Sequence, residues 1–259
     1  MVLRRALPLA FATALLLLIR PTSAQTPQDA LQKQIDELKA QQAAMQKDLA
    51  DIKAVLQALI QNRGASSLPE GASVIIDGAP SRGAAAAKVI VAEVSDYHCP
   101  FCRRYTQETM PQLIKDYVSS GKVRYVFLDC PIAQLHPNAF RSHEAAQCAG
   151  AQGKYWEMHD KLFASPPQND AAGLASLASA AGVPDAEKFK ACLNGGSESA
   201  GINQSLKRMG EAGISGTPTF LIGAAPAPGA PLKVVRVVRG AKPYEEFKAA
   251  IDALLAPKS

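Results

Sequence analysis

Residues 89–102 read VIVAEVSDYHCPFC, which joins an apolar run to two closely spaced cysteines. Its first six residues are apolar apart from Glu93, which is typical of a buried β-strand. Cys99 and Cys102 follow at a Cys-x-x-Cys spacing, and a plausible helix begins at Pro100. A strand, a cysteine pair and a helix in that order predict a redox-active thiol pair.

The position of each cysteine suggests its role. A helix N-terminus presents unpaired N–H groups and the positive end of the helix dipole, so it stabilises the anion of Cys99 and makes this residue the expected nucleophile. Cys102, one turn further along, is the expected resolving thiol. A structural zinc site needs four ligands, but the sequence has no second Cys-x-x-Cys and no nearby His-x-x-x-His. A purely structural disulfide here would restrain almost no chain.

The N-terminal residues have the pattern of a secretory signal peptide over 1–24. Arg4 and Arg5 precede an apolar run from Ala6 to Ile19, and Thr22-Ser23-Ala24 offers small residues for cleavage. The run is shorter than the roughly 20 residues that a spanning helix needs. Without the arginines of this segment the formal net charge falls from +5 to +2. We therefore expect export to the periplasm or another oxidising compartment, and no nucleic-acid partner.

Apolar residues then recur in alternating steps of four and three, which is a heptad pattern. The a positions are Ile35, Gln42, Leu49 and Leu56, and the d positions are Leu31, Leu38, Met45, Ile52 and Leu59. The pattern predicts a coiled-coil helix over residues 29–62 that joins copies of the chain as a trimer or dimer. A long amphipathic helix packed on its own domain is the alternative. Helix and linker together occupy residues 25–66, and the second domain occupies 67–259.

The rest of the chain alternates strands and helices, which predicts an α/β fold with a helical insertion at about 134–214. Strands are expected at 74–76, 88–95, 122–128, 219–222 and 233–239, and helices at 100–120, within 138–212 and at 244–255.

The sequence resembles the DsbA-like branch of the thioredoxin superfamily over nearly all of its length from residue 72. The resemblance rests on Glu93, CPFC at 99–102, QGKYWEMHD at 152–160 and GTPTF at 216–220. It implies a thioredoxin fold interrupted by a helical domain, with a substrate groove beside the cysteines. The N-terminal helix adds a layout similar to DsbC, DsbG and ScsC, which join thioredoxin-like domains to an oligomerising region.

The same resemblance implies roles for Thr217, Pro218 and Glu93. Pro218 is expected to follow a cis peptide bond opposite the cysteines, with the main chain of Thr217 pairing with an extended substrate. Glu93 is expected to pass a proton to and from Cys102. A buried ion pair between Glu93 and a lysine, or a half-exposed place at the sheet edge, are the alternatives.

One departure from DsbA affects the expected redox strength. DsbA itself has a histidine between its cysteines, whereas Phe101 takes that place here and His98 precedes the pair. A phenylalanine donates no hydrogen bond to a thiolate, so Cys99 is expected to be less acidic and the disulfide less oxidising than in DsbA. His98 is expected to support the thiolate electrostatically.

Three further cysteines lie outside the motif. Some exported DsbA-like proteins carry a second disulfide in the insertion, and the resemblance favours Cys148 with Cys192, leaving Cys130 as a buried free thiol. A Cys130–Cys148 pair remains the alternative. His136, His143 and His159 are interpreted as surface or capping residues, since their spacings form no metal motif; no metal and no cofactor are expected.

These observations predict an exported thiol-disulfide oxidoreductase, either an isomerase or an oxidase. Its expected partners are unfolded or misoxidised exported proteins and a membrane redox protein. The rival hypothesis is a copper(I)-binding or copper-tolerance protein that holds the ion through Cys99, Cys102 and His98, because thiolates suit this soft cation. A chaperone with a vestigial redox site is a third possibility.

Overall fold

The computed structural model describes residues 27–65, 68 and 71–257. The expected signal peptide, 1–24, lies outside the described residues. The chain divides into two compact units, Met1–Gln61 and Asn62–Ser259.

The described part of the first unit is helical and belongs to α1 (Pro27–Ala65). Six apolar residues of the heptad series are between 37% and 64% exposed: Leu31, Ile35, Leu38, Met45, Leu49 and Ile52. Polar side chains of successive turns pair elsewhere on the helix, as in the contact of 2.9 Å between Lys47 Nζ and Asp51 Oδ2. No helix in the described part of the chain combines the length and apolarity needed to cross a bilayer.

The second unit is built on a five-stranded sheet in the order β2-β4-β3-β5-β7. Strands β3 and β4 are parallel, and the other neighbours in this sheet are antiparallel. A separate antiparallel ladder pairs β1 with β6. The strands are β1 (Ser73–Val74), β2 (Ser81–Arg82), β3 (Val89–Ser95), β4 (Val123–Asp129), β5 (Thr219–Ala224), β6 (Leu232–Lys233) and β7 (Arg236–Arg239).

The central strand is β3, and every one of its residues is buried. It reads as a continuous apolar run because both faces of the sheet are covered. Ile90, Ala92 and Val94 pack into one core. Val89 and Val91 pack into another on the opposite face. Glu93 shares the face of Val91, since side chains two residues apart on a strand point the same way.

Helices cover the sheet and form the insertion between β4 and β5. They are α2 (Pro100–Glu108), α3 (Met110–Leu113), a π-helical turn (Ile114–Val118), α4 (Ala139–Gly150), α5 (Tyr155–Ala164), α6 (Ala171–Ala180), α7 (Ala186–Gly195), α8 (Ser199–Glu211) and α9 (Tyr244–Leu255). The insertion comprises α4 to α8, and a disulfide bond joins Cys148 on α4 to Cys192 on α7. The predicted fold class, α/β with a helical insertion, is confirmed.

Some predicted boundaries are wrong. The helix expected over 100–120 is interrupted at Thr109, because Pro111 has no N–H to continue the hydrogen-bond ladder, and then widens into the π-helical turn. The strand expected over 233–239 is divided between β6 and β7, which belong to different sheets. Strand β2 was not predicted, since two residues carry no periodic signal.

Candidate active site

Cys99 lies between the end of β3 and the first residue of α2. Its N–H donates to the carbonyl of Asp96 at 3.0 Å, and Pro100 begins the helix, where a missing N–H costs nothing. Cys99 is 4% exposed and Cys102 is fully buried. Cys99 therefore lies nearer the surface than Cys102.

The surroundings of Cys99 favour its thiolate. A hydrogen bond from the Cys102 thiol lowers the pKa of Cys99 to about 6; desolvation opposes this effect, and the Thr217 side chain and the N–H groups of Cys102 and Phe101 add to it. The pKa of Cys102 is raised well above its ordinary value, first by burial and then by its hydrogen bond to Cys99. At neutral pH the outer sulfur is thus ionised while the inner one keeps its proton.

A groove opens beside Cys99. The Cys99 Sγ lies 3.6 Å from the main-chain oxygen of Thr217, and the Thr217–Pro218 peptide bond is cis. The groove has a volume of about 640 Å³ and includes Ile132 and Leu135 among its apolar lining residues. The structure therefore brings together Cys99, Thr217 and Pro218, although 118 residues separate Cys99 from Thr217 in sequence.

Glu93 is fully buried on β3, close enough to the cysteine pair for its charge to raise the pKa of Cys102. The Tyr125 hydroxyl donates a short hydrogen bond to Oε2, and Oε1 has no hydrogen-bond partner within the described residues. Burial raises the pKa of Glu93 to about 7, although the Tyr125 hydrogen bond opposes this rise. The alternative of a half-exposed edge position is wrong, since β3 is paired on both sides. The described residues also show no lysine in an ion pair with Glu93.

His98 points to the insertion. Its Nε2 lies 2.9 Å from the Ser142 hydroxyl on α4, and its N–H donates to Asp96 Oδ1 at 2.8 Å. Burial lowers the pKa of His98, so the ring is mostly neutral at pH 7. The described part of the chain shows no hydrogen bond between this ring and Cys99. The geometry therefore gives little support to the electrostatic role expected for His98.

Asp96 is a residue of the site that the sequence analysis missed. Its buried carboxylate accepts from the N–H groups of His98 and Ile132, each at 2.8 Å, and Oδ2 also lies 2.9 Å from His136 Nδ1. Asp96 therefore ties the segment before Cys99 to the loop after β4, which forms one wall of the groove. The available signal was a charged residue between a buried strand and the cysteine motif.

Two histidines of the insertion are buried, so their interpretation as surface residues is wrong. His143 Nδ1 lies 2.5 Å from Asp129 Oδ1, and His159 Nδ1 lies 2.8 Å from Asp160 Oδ1. Both rings pack on Tyr97. Each Nδ1 thus has a carboxylate partner, whereas Nε2 of each ring has none within the described residues.

The remaining thiol, Cys130, is buried and unbridged. Burial raises its pKa to about 12, so it is a poor nucleophile at neutral pH. No group of three or more His, Cys, Asp or Glu side chains in the described part of the chain is arranged to hold a metal ion.

Comparison with known proteins supports this architecture. A thioredoxin family model matches residues 76–253, a span that includes the cysteine pair, the cis-proline and the insertion. The chain belongs to this thioredoxin family. Within the family it is similar to α-DsbA1 from Wolbachia pipientis, whose crystal structure matches with a TM-score of 0.61 and 20% identity over 70% of this chain and 92% of that one. That likeness confirms the DsbA-like thioredoxin fold.

Two proteins with sequences similar to this chain are named for different activities. Na(+)/H(+) antiporter NhaA 3 from Salinispora tropica is 35% identical over 141 residues, which are 54% of this chain and 21% of the antiporter. This thioredoxin-family chain thus spans about a fifth of that relative's length. Disulfide bond formation protein D from Bacillus subtilis is 24% identical over 191 residues, which are 71% of this chain and 80% of the relative.

Proposed function

We propose that the protein is an exported thiol-disulfide oxidoreductase that exchanges disulfides with protein substrates through Cys99 and Cys102. The observation that carries this proposal is the contrast between the two sulfurs. Cys99 has a pKa of about 6 and borders a groove, whereas burial raises the pKa of Cys102 well above its ordinary value. The likeness to disulfide bond formation protein D supports the same activity.

The exchange proceeds in two steps. The Cys99 thiolate attacks one sulfur of a substrate disulfide, a mixed disulfide forms, and the other substrate sulfur leaves as a thiolate. Cys102 then loses its proton and attacks Cys99 Sγ, which releases the first substrate sulfur as a thiolate. The substrate is reduced and the cysteine pair is oxidised; the reverse sequence oxidises a substrate dithiol. In an isomerase, a substrate thiolate attacks the mixed disulfide instead.

The groove supports a broad choice of substrate. Its residues include apolar Ile132, Leu135 and Pro218, and the described residues that line it include no aspartate or glutamate. An extended chain pairing with main-chain groups near Thr217 would be held mostly through its own backbone, which is independent of side-chain identity. Unfolded or misoxidised exported proteins therefore fit the site better than one folded partner.

The acidity of Cys99 supports an intermediate redox strength. A pKa of about 6 lies between the values of about 7 for thioredoxin and about 3.5 for DsbA. A more stable thiolate makes the disulfide more oxidising, so this pair is proposed to be less oxidising than DsbA. Such a pair fits an isomerase that a membrane redox partner keeps reduced.

Assembly through α1 is part of the proposal. The exposed apolar residues of the heptad series form a stripe that a second or third copy of the helix would cover, and multiple sites facing a common space favour isomerisation. The variant Leu38→Lys/Leu49→Lys is expected to dissociate the oligomer and to lower the isomerase rate per chain. The control Ala40→Lys/Ala50→Lys adds the same charge outside the a and d positions and should preserve the mass in light scattering. Unchanged mass in the first variant would contradict assembly through this stripe.

The exchange activity is tested with the reduced and oxidised protein. Insulin reduction and the recovery of scrambled ribonuclease should both be catalysed, and Cys99→Ser should abolish both, whereas Cys130→Ser should not. Copper(I) titration of the reduced protein tests the rival function. Tight copper binding without exchange activity would overturn the proposal. Export is tested by the N-terminus of the mature protein, which is expected at Gln25.

A further inference from the structure

Two side chains outside the cysteine motif lie on the face of the sheet that carries Glu93. Arg82 on β2 is directly opposite Tyr125 on β4, which in turn is opposite Val91 on β3. Opposite residues share a face, and Glu93 is two residues beyond Val91, so Arg82, Tyr125 and Glu93 line up on one side of three neighbouring strands.

Tyr125 fixes one half of the Glu93 carboxylate. Its hydroxyl donates to Oε2 and lies 3.3 Å from the Tyr105 hydroxyl on α2. Burial raises the pKa of Tyr125 well above its ordinary value, so the phenol keeps its proton and remains a donor. The other oxygen, Oε1, is buried without a partner among the described residues and is free to accept a proton.

Arg82 brings a fixed positive charge to the same face. Its Cζ lies 4.2 Å from the Trp156 ring centroid and 6.0 Å from that of Tyr125, and Nη2 contacts Met110 Sδ at 3.4 Å. The nearest carboxylate in an ion pair with it, Asp160, is 3.7 Å away and 59% exposed, which weakens that pair. The Tyr125 and Ser95 hydroxyls lower the pKa of Glu93 against the effect of burial, and the positive charge of Arg82 lowers it further.

Apart from Arg82, the titratable groups around Glu93 are four neutral tyrosines and the two cysteines of the active-site pair. The groups that act on Glu93 or respond to its charge are Arg82 on β2, Tyr97 after β3, Cys99, Cys102 and Tyr105 at α2, Tyr125 on β4 and Tyr155 on α5. Burial raises the pKa of each of these four tyrosines well above its ordinary value. Within this set Arg82 therefore supplies the positive charge.

We propose that Tyr125 and Arg82 are positioning residues for Glu93: Tyr125 holds the carboxylate through Oε2 so that Oε1 stays free, and the positive charge of Arg82 on the same face favours the carboxylate over the neutral acid. This inference rests on the proposed exchange function. In the resolving step the proton of the Cys102 thiol passes to Glu93, and the Cys102 thiolate attacks Cys99 Sγ. The bond from Cys99 to the substrate sulfur breaks, and that sulfur leaves with the electron pair.

The resolving step is measured with an aromatic disulfide, dithiobis(nitrobenzoate), in stopped flow. The first coloured thiolate is released in a phase proportional to reagent concentration, which reports attack by Cys99. The second is released in a concentration-independent phase, which reports attack by Cys102. The second phase should accelerate with pH around the pKa of Glu93, about 7.

Three variants test the proposal. In Arg82→Met the midpoint of the second phase should move up by about half a pH unit or more, which slows this phase about threefold at pH 6. Arg82→Lys keeps the charge and should restore most of the profile, and Tyr125→Phe should move the midpoint in the same direction as Arg82→Met. Lys122→Met is the matched control, because Lys122 lies 5.9 Å from the Tyr117 ring and the substitution removes a cation above an aromatic ring elsewhere.

The outcomes separate this inference from the proposed function. If both phases occur in the wild type but Arg82→Met and Tyr125→Phe leave the midpoint of the second phase unchanged, the positioning roles are wrong and the exchange function stands. If Arg82→Lys is shifted as far as Arg82→Met, packing rather than charge is responsible, and the role of Arg82 is refuted. If the wild type shows no second phase, the exchange function itself fails.

Discussion

Replacing Cys102 by alanine should make Cys99 much less acidic. The hydrogen bond from the Cys102 thiol is the largest cause that lowers the pKa of Cys99 from 9.0 to about 6. Alanine removes this donor, so the midpoint of Cys99 ionisation should rise from about 6 toward 9.0. Serine at the same position keeps a hydroxyl donor, and Cys102→Ser should hold the midpoint close to that of the wild type.

The expected rates follow from ionisation and nucleophilicity. At pH 7 a thiol with a pKa of about 6 is about 90% ionised, whereas one with a pKa of 9.0 is about 1% ionised. A more basic thiolate is also more nucleophilic, by about 20-fold for a pKa higher by three at a Brønsted coefficient of about 0.45. If the whole shift is lost, alkylation of Cys99 should slow about fivefold at pH 7 and be about 20-fold faster than in the wild type at pH 10.

The assay is iodoacetamide labelling of the reduced protein across pH 4 to 10, quenched and read by mass spectrometry. Cys130 serves as an internal reference, because burial raises its pKa to about 12 and its labelling should remain slow. An unchanged midpoint in Cys102→Ala would refute the assignment of Cys102 as the main stabiliser of the thiolate. A midpoint above pH 8 for Cys99 in the wild type would refute the proposal that Cys99 is ionised at neutral pH while Cys102 keeps its proton.

Two further predictions concern stability. Burial raises the pKa of Glu93 from 4.5 to about 7, so the folded protein binds this proton more tightly than the unfolded chain and loses stability as pH rises between these values. In urea titrations, Glu93→Gln should therefore raise the free energy of unfolding by about 3 kcal/mol at pH 8 and have little effect at pH 4. Replacing both Cys148 and Cys192 by alanine should lower the free energy of unfolding by about 4 kcal/mol, since the disulfide closes a loop between residues 44 apart in sequence. An equal loss when the disulfide of the wild type is reduced would confirm that the lost cross-link is the cause. A change below about 1 kcal/mol would contradict this prediction.

The parts of the fold that the sequence predicted are those with strong local signals. The helix at 244–255 was predicted with the bounds that α9 has, and β3 and β4 were predicted to within a residue, because each has the apolar periodicity of its element. The split between β6 and β7 was not predictable, since it depends on which distant strand each segment meets. Tertiary pairing decides such short strands.

Within the candidate site, too, only the residues with a local sequence signal could be predicted. Cys99 and Cys102 could be recognised from a local motif, and the disulfide partner of Cys148 was favoured through the family resemblance. The buried partners Tyr125 of Glu93 and Asp129 of His143 could not be predicted, because each depends on contacts between separate elements. His143 also shows that a polar residue inside a helical block can be fully buried where the fold brings a carboxylate, here that of Asp129, to its ring.

The carboxylate of Asp96 has a consequence for how substrates are accommodated. One side chain fastens both the backbone leading to the attacking sulfur and the opposite rim of the cleft, through Ile132 and His136. The segment before Cys99 and this rim are thereby held by one carboxylate in the structure, in which Cys99 and Cys102 are free thiols. Widening the cleft on this side would require breaking the hydrogen bonds of Asp96 to Ile132 and His136.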